Sequence, residues 1–311
     1  MAEKIATREA YGNTLAEIGE KYPDIVVLDA DLSKSTFTYK FGEKYPERFF
    51  NMGIAEANLT SVSAGLAACG KIPFISTFAI FATGRAFDQV RNSIAYPNLN
   101  VKIAATHAGI SVGEDGASHQ SVEDIALMRS IPGMTVISPA DGIETNLAVK
   151  AIVQYKGPVY LRLGRLALPA VYNNFADCTF EIGKAITLEE GTDATIIATG
   201  LMVQEALSAH KILQNEGINV RIINMHTIKP IDEEAVINAA YQTGRIVTAE
   251  EHSVIGGLGE AVAGVTARSC PVPIAMVGVK DVFGRSGKPA ELLKYYGLTA
   301  DDIVLAVKSL F

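Results

Sequence analysis

THAGISVGEDGASHQSVED, residues 106–124, joins a predicted strand to a predicted helix through a glycine-rich polar loop. The loop holds two histidines, three glycines and four carboxylates, which leaves no room for a hydrophobic stripe. The apolar run at residues 101–106 predicts a buried strand, and residues 122–129 predict a short helix. A strand, a polar loop and a helix form the βα unit of a parallel sheet, so this stretch indicates an α/β fold.

The same alternation of apolar runs and helix-period segments extends along the whole chain. Runs of four to six apolar residues predict strands, and apolar residues three or four apart predict helices between them. Residues 166–181, which contain Pro169 and Asn173, show neither pattern and predict a linker. The sequence therefore predicts two consecutive α/β domains, residues 1–180 and 181–311, each with a mostly parallel sheet flanked by helices.

The predicted elements are as follows, by residue number. Strands are predicted at 25–29, 72–77, 101–106, 135–138, 159–163, 194–199, 219–224, 246–249 and 274–279. The clearest helices are predicted at 142–154, 203–215, 233–240 and 301–310. Another helix, opening near Ile54, is expected to bury Leu59, Val62 and Leu66 on one face.

Composition and charge exclude several classes of protein. The chain has 311 residues, 49% apolar and 20% charged, with a net charge of −7 and no Lys/Arg run, which argues against a nucleic-acid partner. The apolar runs are too short for a membrane span. Cys69, Cys178 and Cys270 fit neither a disulfide framework nor a CxxC metal site. With no secretory signal visible at its start, the chain is expected in the cytoplasm.

Polar and aromatic residues follow four of the predicted strands of the first domain. Asp31, Phe78, His107 and Arg165 each come just after the end of a strand. Ligands bind at the carboxyl ends of the strands in an open parallel sheet. The sequence therefore predicts that these four residues meet at one edge of one sheet and form a site there.

NMGIAEAN, residues 51–58, places Glu56 in the first turn of an apolar helix. A glutamate near a helix N-terminus is ordinarily a solvated residue stabilised by the helix dipole. Its neighbours Met52, Gly53, Ile54 and Ala55 are small or apolar, however. This surrounding suits a partly buried carboxylate with a chemical role.

Both stretches resemble the pyrimidine-binding half of transketolase, a thiamine-diphosphate enzyme, and the resemblance covers essentially the whole chain. It implies a thiamine-diphosphate-binding Pyr fold followed by a transketolase C-terminal domain. ERFFNMGIAEAN, residues 47–58, is similar to the segment that carries the cofactor-activating glutamate. The resemblance thus implies that Glu56 hydrogen-bonds N1′ of the cofactor aminopyrimidine, while the cofactor does the carbanion chemistry.

The resemblance also assigns further cofactor contacts. Phe78 and Phe81, in STFAIFATGRAFDQVR, match aromatics that stack on the pyrimidine ring, although aromatics at this spacing are as often core residues. Gly84 stands where many transketolases carry another aromatic, so the ring cage is less complete or closed by another residue. Asp31 matches an aspartate close to the cofactor, with a turn cap as its competing interpretation.

Substrate contacts are implied in the same way. Asp115 and His119 match residues that contact the donor sugar, with His119 available for proton transfer, although histidine and aspartate in a glycine loop ordinarily cap turns. Arg8, Ser35 and Arg165 match positions that hold the substrate phosphate, although each of them, taken singly, is more often a surface residue. His107 would lie further out, near the sugar phosphate. Arg162, three residues before Arg165, is expected to point to the opposite face of the sheet.

Half of the expected enzyme is missing from this sequence. A GDG motif followed by an NN pair, which holds Mg²⁺ (or Ca²⁺) and the diphosphate in the family, is absent, and no metal site is predicted here. The resemblance therefore implies a companion N-terminal-half subunit, with two copies of each chain and self-association through both domains. The implied activity is transfer of a two-carbon ketol unit from a ketose phosphate to an aldose phosphate.

Two other functions stay open at this point. TIKP, residues 227–230, looks more like the β subunit of a 2-oxoacid dehydrogenase or deoxyxylulose-phosphate synthase, which use the same cofactor. A different class, a non-catalytic binding or regulatory module, is also compatible with the fold, because fold alone does not establish chemistry. The intact set of Glu56, Asp115 and His119 argues against that second possibility.

Overall fold

The computed structural model describes residues 4–311. Its strands form two larger sheets and one two-stranded ribbon. The strands are β1 (Ile5–Ala6), β2 (Ile25–Asp29), β3 (Phe49–Asn51), β4 (Ile72–Ser76), β5 (Lys102–Ala105), β6 (Thr135–Ile137), β7 (Val159–Arg162), β8 (Ala167–Leu168), β9 (Ile186–Glu189), β10 (Ala194–Ala198), β11 (Val220–Asn224), β12 (Thr227–Lys229), β13 (Ile246–Ser253) and β14 (Ile274–Val279).

Helices cover the faces of the two larger sheets. They are α1 (Thr7–Ile18), α2 (Ser33–Thr36), α3 (Tyr39–Lys44), α4 (Glu56–Ala68), α5 (Phe87–Gln89), α6 (Asp124–Ser130), α7 (Gly142–Gln154), α8 (Met202–Asn215), α9 (Glu233–Thr243), α10 (Leu258–Ser269), α11 (Pro289–Tyr295) and α12 (Ala300–Lys308). Two π-helical segments, Phe81–Arg85 and Val90–Ala95, flank α5. Within residues 4–311, no helix has both the length and the apolar character needed to cross a membrane.

Both sheets are mostly parallel, which confirms the predicted fold class. The first sheet has the order β12-β6-β7-β5-β4-β2-β3, and only its β12–β6 pair is antiparallel. The second has the order β14-β13-β10-β11-β9, and only β9 runs antiparallel to its neighbour. The central strands are buried along their whole length, as expected for parallel strands covered on both faces.

A strand from the second half of the chain completes the first sheet. β12 pairs with β6, and the Lys229 ammonium donates to the carbonyl oxygens of Arg129 (2.8 Å) and Ile131 (2.5 Å). Sequence patterns missed this strand because it has only three residues. The two predicted halves are therefore interlocked, and a domain boundary near residue 180 stays a prediction.

A buried ion pair also ties the two halves together. Arg162 donates to the Asp124 carboxylate (2.7 Å) and to the main-chain oxygen of Glu251 (2.8 Å). The hydroxyl of Tyr160 donates to the same Asp124 carboxylate (2.6 Å). Arg162 thus joins β7 to the second half of the chain, and the prediction that it points to the opposite face of the sheet stays a prediction. Removing one partner of such a pair would leave the other charge buried and uncompensated.

The buried face of α4 differs from the predicted one. Leu59 is buried as expected, but Val62 is 37% exposed and Leu66 only half-buried. The buried residues of α4 are Glu56, Leu59, Thr60, Ser63 and Ala64. Most of these residues are small or polar, so a stripe of large apolar residues does not identify the buried face.

Glu144 on α7 is a buried carboxyl whose environment makes stability depend on pH. It accepts hydrogen bonds from the Ala140 amide (2.6 Å), the Asn224 amide (2.8 Å) and the Tyr172 hydroxyl (3.3 Å). Burial nevertheless raises the pKa of Glu144 from 4.5 to about 7. The folded chain keeps this proton up to about pH 7, whereas the unfolded chain releases it near 4.5. The contribution of Glu144 to stability is therefore fully present below 4.5 and is lost as the pH rises towards 7.

We expect Glu144→Gln to stabilise the protein at pH 8 by up to about 3 kcal/mol, because the amide is never ionised. The Asn224 Oδ1 atom is buried without a partner and can accept from the new amide once the Asn224 side chain turns. Chemical denaturation from pH 5.5 to pH 8 measures the effect, which should shrink as the pH falls. A variant less stable than the parent at pH 8 would contradict this account.

Candidate functional site

The carboxyl ends of the central strands meet at one edge of the first sheet. β7, β5, β4 and β2 are adjacent and parallel, so the segments that follow them lie side by side. The Phe78 and His107 rings, which follow β4 and β5, stack at 3.9 Å between centroids. The predicted convergence of residues at this edge is confirmed for this pair.

An aromatic group lies next to these strand ends. The Phe78 and Phe81 rings are nearly parallel, with centroids 5.9 Å apart and an interplanar angle of 13°. The His119 ring approaches Phe81 edge-on at 5.3 Å. His119 belongs to the glycine-rich loop, so the loop and the π-helical segment Phe81–Arg85 form one aromatic surface.

Glu56 lies at the first position of α4 and is only 2% exposed. Its carboxylate accepts from Arg85 Nη1, which is 3.0 Å from both of its oxygens. The Arg85 guanidinium also lies over the Phe81 ring, 4.3 Å from its centroid. Arg85 therefore links the buried carboxylate to the aromatic surface. No spacing in the sequence indicated this contact, because Arg85 follows Glu56 by 29 residues.

Arg8 lies at the same edge next to His107, and Arg165 is near enough for its charge to act on Arg8. Arg8 Nη1 donates to the main-chain oxygen of Ser35 (2.7 Å) and to His107 Nε2 (3.3 Å), and Arg8 Nε is buried with no hydrogen-bond partner among residues 4–311. Burial lowers the pKa of Arg8, and the nearby Arg165 cation lowers it further. Two arginine cations, of which Arg8 still has a free N–H donor at Nε among the described residues, form a site that suits an anionic ligand.

His107 is a neutral imidazole in this cationic surrounding. Its Nδ1 lies 2.8 Å from Thr106 Oγ1, and its Nε2 faces Arg8. Because arginine can only donate, Nε2 is the acceptor, and we infer that Nδ1 carries the proton. Burial lowers the pKa of His107 to about 3, and the charges of Arg8 and Arg165 act in the same direction. His107 can thus orient Arg8 without adding a charge.

We expect the His107 ring to stay neutral from pH 5 to pH 8, because its pKa lies well below this range. Nuclear magnetic resonance of the chain with labelled histidine measures this directly. The chain has five histidines, and a His107→Asn variant assigns the relevant signal. A His107 signal that titrates with a midpoint near 6.5 would contradict the described environment.

The other predicted substrate-binding residues make fewer contacts with the residues described above. Arg165 donates to the main-chain oxygen of Val112 and to Glu114 (3.2 Å), so the loop holds it in place. Ser35 accepts a hydrogen bond from Arg8 through its main-chain carbonyl, and the role of its hydroxyl in holding a phosphate stays a prediction. Asp115 is exposed and makes no side-chain hydrogen bond within residues 4–311.

Asp31 lies at the rim of the site. It has a positive φ of 63°, and its carboxylate accepts a hydrogen bond from the side-chain amide of Asn51 (2.8 Å) and not from a backbone amide of its own turn. Asn51 was not predicted as a partner, although it opens the quoted segment NMGIAEAN. Proximity of Asp31 to a cofactor remains a prediction.

Gln120 is a support residue that sequence reasoning missed. Its side-chain amide donates to the carbonyl oxygens of Ile110 (3.1 Å), Gly113 (3.2 Å) and Arg285 (3.0 Å). These bonds fix the glycine-rich loop and tie it to the second half of the chain. The one feature of the sequence that could have indicated this role is the position of Gln120 directly after His119.

The Glu56 carboxylate and the rings of Phe78 and Phe81 fit one end of a thiamine-type cofactor. A buried carboxylate next to a flat aromatic pair can bind a planar ring that carries a ring nitrogen and an amino group. Residues 4–311 contain no group of three or more His, Cys, Asp or Glu side chains placed to hold a metal ion. The residues described here therefore fit the ring of the cofactor, while its charged tail needs other ligands.

Comparison with known protein families agrees with this fold and site. The model of the transketolase pyrimidine-binding domain matches residues 3–171, and that of the transketolase C-terminal domain matches residues 183–303. These are domains of thiamine-diphosphate-dependent transferases. The chain belongs to the transketolase family and corresponds to the C-terminal half of the enzyme.

Individual relatives support the same conclusion. A Methanocaldococcus jannaschii protein provisionally described as a transketolase C-terminal section is 55% identical over 297 residues, which cover 95% of this chain and 93% of that protein. A solved structure of a split gene transketolase, described as an inactive beta4 tetramer, has a TM-score of 0.91 at 56% identity and covers 99% of this chain and 98% of its own. Human transketolase is 41% identical over 100% of this chain but only 50% of its own length.

Proposed function

We propose that this chain is one subunit of a split, thiamine-diphosphate-dependent transketolase. It transfers a two-carbon ketol unit from a ketose phosphate to an aldose phosphate, together with a companion N-terminal-half subunit. The observation that carries this proposal is a cation beside the aromatic surface: Arg8 contacts His107, which stacks on Phe78, and Arg8 Nε is buried without a partner among residues 4–311. A sugar phosphate presents its anion and its reacting carbons to two such adjacent sites.

The residues at the cofactor end position the ring and control its proton. Glu56 holds a proton at N1′ of the aminopyrimidine, and Phe78 and Phe81 hold the ring by stacking. Thiamine diphosphate supplies the carbanion chemistry when it is bound. The burial of Glu56 excludes water from its carboxylate, which strengthens the hydrogen bond that it makes there.

The residues at the substrate end bind the sugar and move a proton. Arg8 and Arg165 anchor the phosphate, and His107 orients Arg8 through its neutral ring. His119, against Phe81, exchanges a proton with the substrate oxygen. Asp115, exposed on the same loop, binds sugar hydroxyls when the substrate is present.

The companion subunit carries the remaining ligands. This chain aligns with half of human transketolase, and the similar split gene transketolase is described as inactive as a beta4 tetramer. We infer that the companion holds the diphosphate and Mg²⁺ (or Ca²⁺), with two copies of each chain in a cytoplasmic complex. The exposed apolar side chains of Ile54 and Val62, beside Glu56, support an interface at this surface.

Purification of the chain alone and with its companion tests the proposal. With thiamine diphosphate and Mg²⁺, the pair is expected to transfer a ketol unit from xylulose 5-phosphate, and the single chain to show no activity. A parallel pyruvate assay distinguishes the 2-oxoacid dehydrogenase alternative. Full activity without the companion, or pyruvate turnover without ketol transfer, would refute the proposal, and a pair inactive in both assays would favour a non-catalytic module.

A further inference from the structure

Arg85 contacts the two groups assigned to the cofactor ring. Its Nη1 is 3.0 Å from each oxygen of Glu56, and no other hydrogen bond to that carboxylate is made within residues 4–311. Its guanidinium lies 4.3 Å from the centroid of Phe81. One planar cation therefore bridges the buried carboxylate and the aromatic face.

We infer that Arg85 competes with the aminopyrimidine for Glu56 and Phe81, and that it must swing away for the ring to bind. This inference rests on the proposed function. A guanidinium is flat, donates N–H groups to carboxylates and stacks on aromatic rings. The aminopyrimidine is expected to make the same two kinds of contact, with the same two residues. Two planar groups cannot occupy one position, so binding of one displaces the other.

The Arg85 side chain can move away from Glu56. Its side chain is 51% exposed, whereas that of Glu56 is 2% exposed, so water can solvate the displaced guanidinium. It ends the π-helical segment Phe81–Arg85, directly after Gly84. A Cβ atom added at Gly84 would meet only Ile80 Cδ1, at 3.7 Å, so no side chain fills the space at this neighbouring position.

Pairing with Arg85 also stabilises the buried carboxylate of Glu56. A buried carboxylate without a counter-charge is strongly unfavourable, and Arg85 provides the positive partner for Glu56. The N-terminal end of α4 adds a favourable dipole. The same pairing must be broken when the ring binds, which weakens cofactor affinity. Arg85 therefore links the stability of the subunit to its affinity for the cofactor.

The first test is the affinity of the reconstituted two-subunit complex for thiamine diphosphate, measured by titration calorimetry. Arg85→Gln is expected to tighten binding about fivefold or more. Arg91→Gln is the matched control, because Arg91 is six residues further along, is exposed and donates to Asn92; it should stay within twofold of the parent. Unchanged or weaker binding by Arg85→Gln would overturn the inference.

The second test uses the chain alone and needs no cofactor. Arg85→Gln should lower the midpoint of thermal unfolding at pH 8, and Glu56→Gln in the same chain should restore most of the loss. Strictly additive effects would show that the two side chains are not coupled, and would also overturn the inference. If the parent complex bound no thiamine diphosphate, the proposed function would fail, and this inference with it. Failure of Arg85→Gln alone, with normal binding by the parent complex, leaves the proposed function intact.

Discussion

Replacement of Glu56 by glutamine in the reconstituted enzyme is expected to lower kcat for ketol transfer about 10³-fold. Positioned acid–base groups contribute about 10² to 10⁴ to catalysis. Glutamine has nearly the same shape as glutamate but cannot take up and return a proton at the cofactor ring. The chain should still fold, because the substitution removes a buried charge and leaves Arg85 half exposed to water.

The measurement is a steady-state assay with saturating cofactor and a ketose phosphate donor. Glu47→Gln serves as the control, since Glu47 is 69% exposed, pairs with Arg48 and lies outside the site. It should retain nearly full activity. Activity of Glu56→Gln within tenfold of the parent would show that this carboxylate is not the group that controls the cofactor.

Replacement of Arg165 by glutamine is expected to reduce kcat/KM for a phosphorylated donor about 10- to 100-fold, mostly through KM. Hydrogen bonds to charged groups contribute about 1.5–3 kcal/mol each, and 1.4 kcal/mol corresponds to a factor of ten. Arg165 is 34% exposed and held by the glycine-rich loop, so its loss should not disturb the fold. The same ketose without its phosphate should be used equally well by parent and variant.

The comparison of the two donors is what makes this experiment decisive. Arg268→Gln is a suitable control, because Arg268 lies on α10 and pairs with Glu233 at the surface. An equal loss of activity with the phosphorylated and the unphosphorylated donor would mean that Arg165 supports the loop and does not bind the anion.

Local patterns predicted the central strands and the long helices. The helix predicted at 142–154 and the strand predicted at 274–279 are found with these bounds, because each is long and strongly periodic. β9 and β12 were missed for a common reason. Both are short edge strands, paired antiparallel with partners that no local pattern identifies.

The site was predictable only in part. The order of parallel strands brings Phe78 and His107 together, and this follows from the sequence pattern alone. The contact between Glu56 and Arg85 depends on how α4 packs against the π-helical segment, which no spacing reveals. The contact between Arg8 and the main-chain carbonyl of Ser35 shows a further limit, since residue type does not determine a main-chain contact.

The central claim is that Glu56 binds the aminopyrimidine of a cofactor whose charged tail is held by the companion subunit. A crystal structure of the reconstituted complex with thiamine diphosphate measures this most directly. It should show a Glu56 oxygen about 3 Å from N1′, with the ring against Phe81 and the diphosphate on the companion chain. A structure in which Glu56 contacts no part of the cofactor would contradict the account.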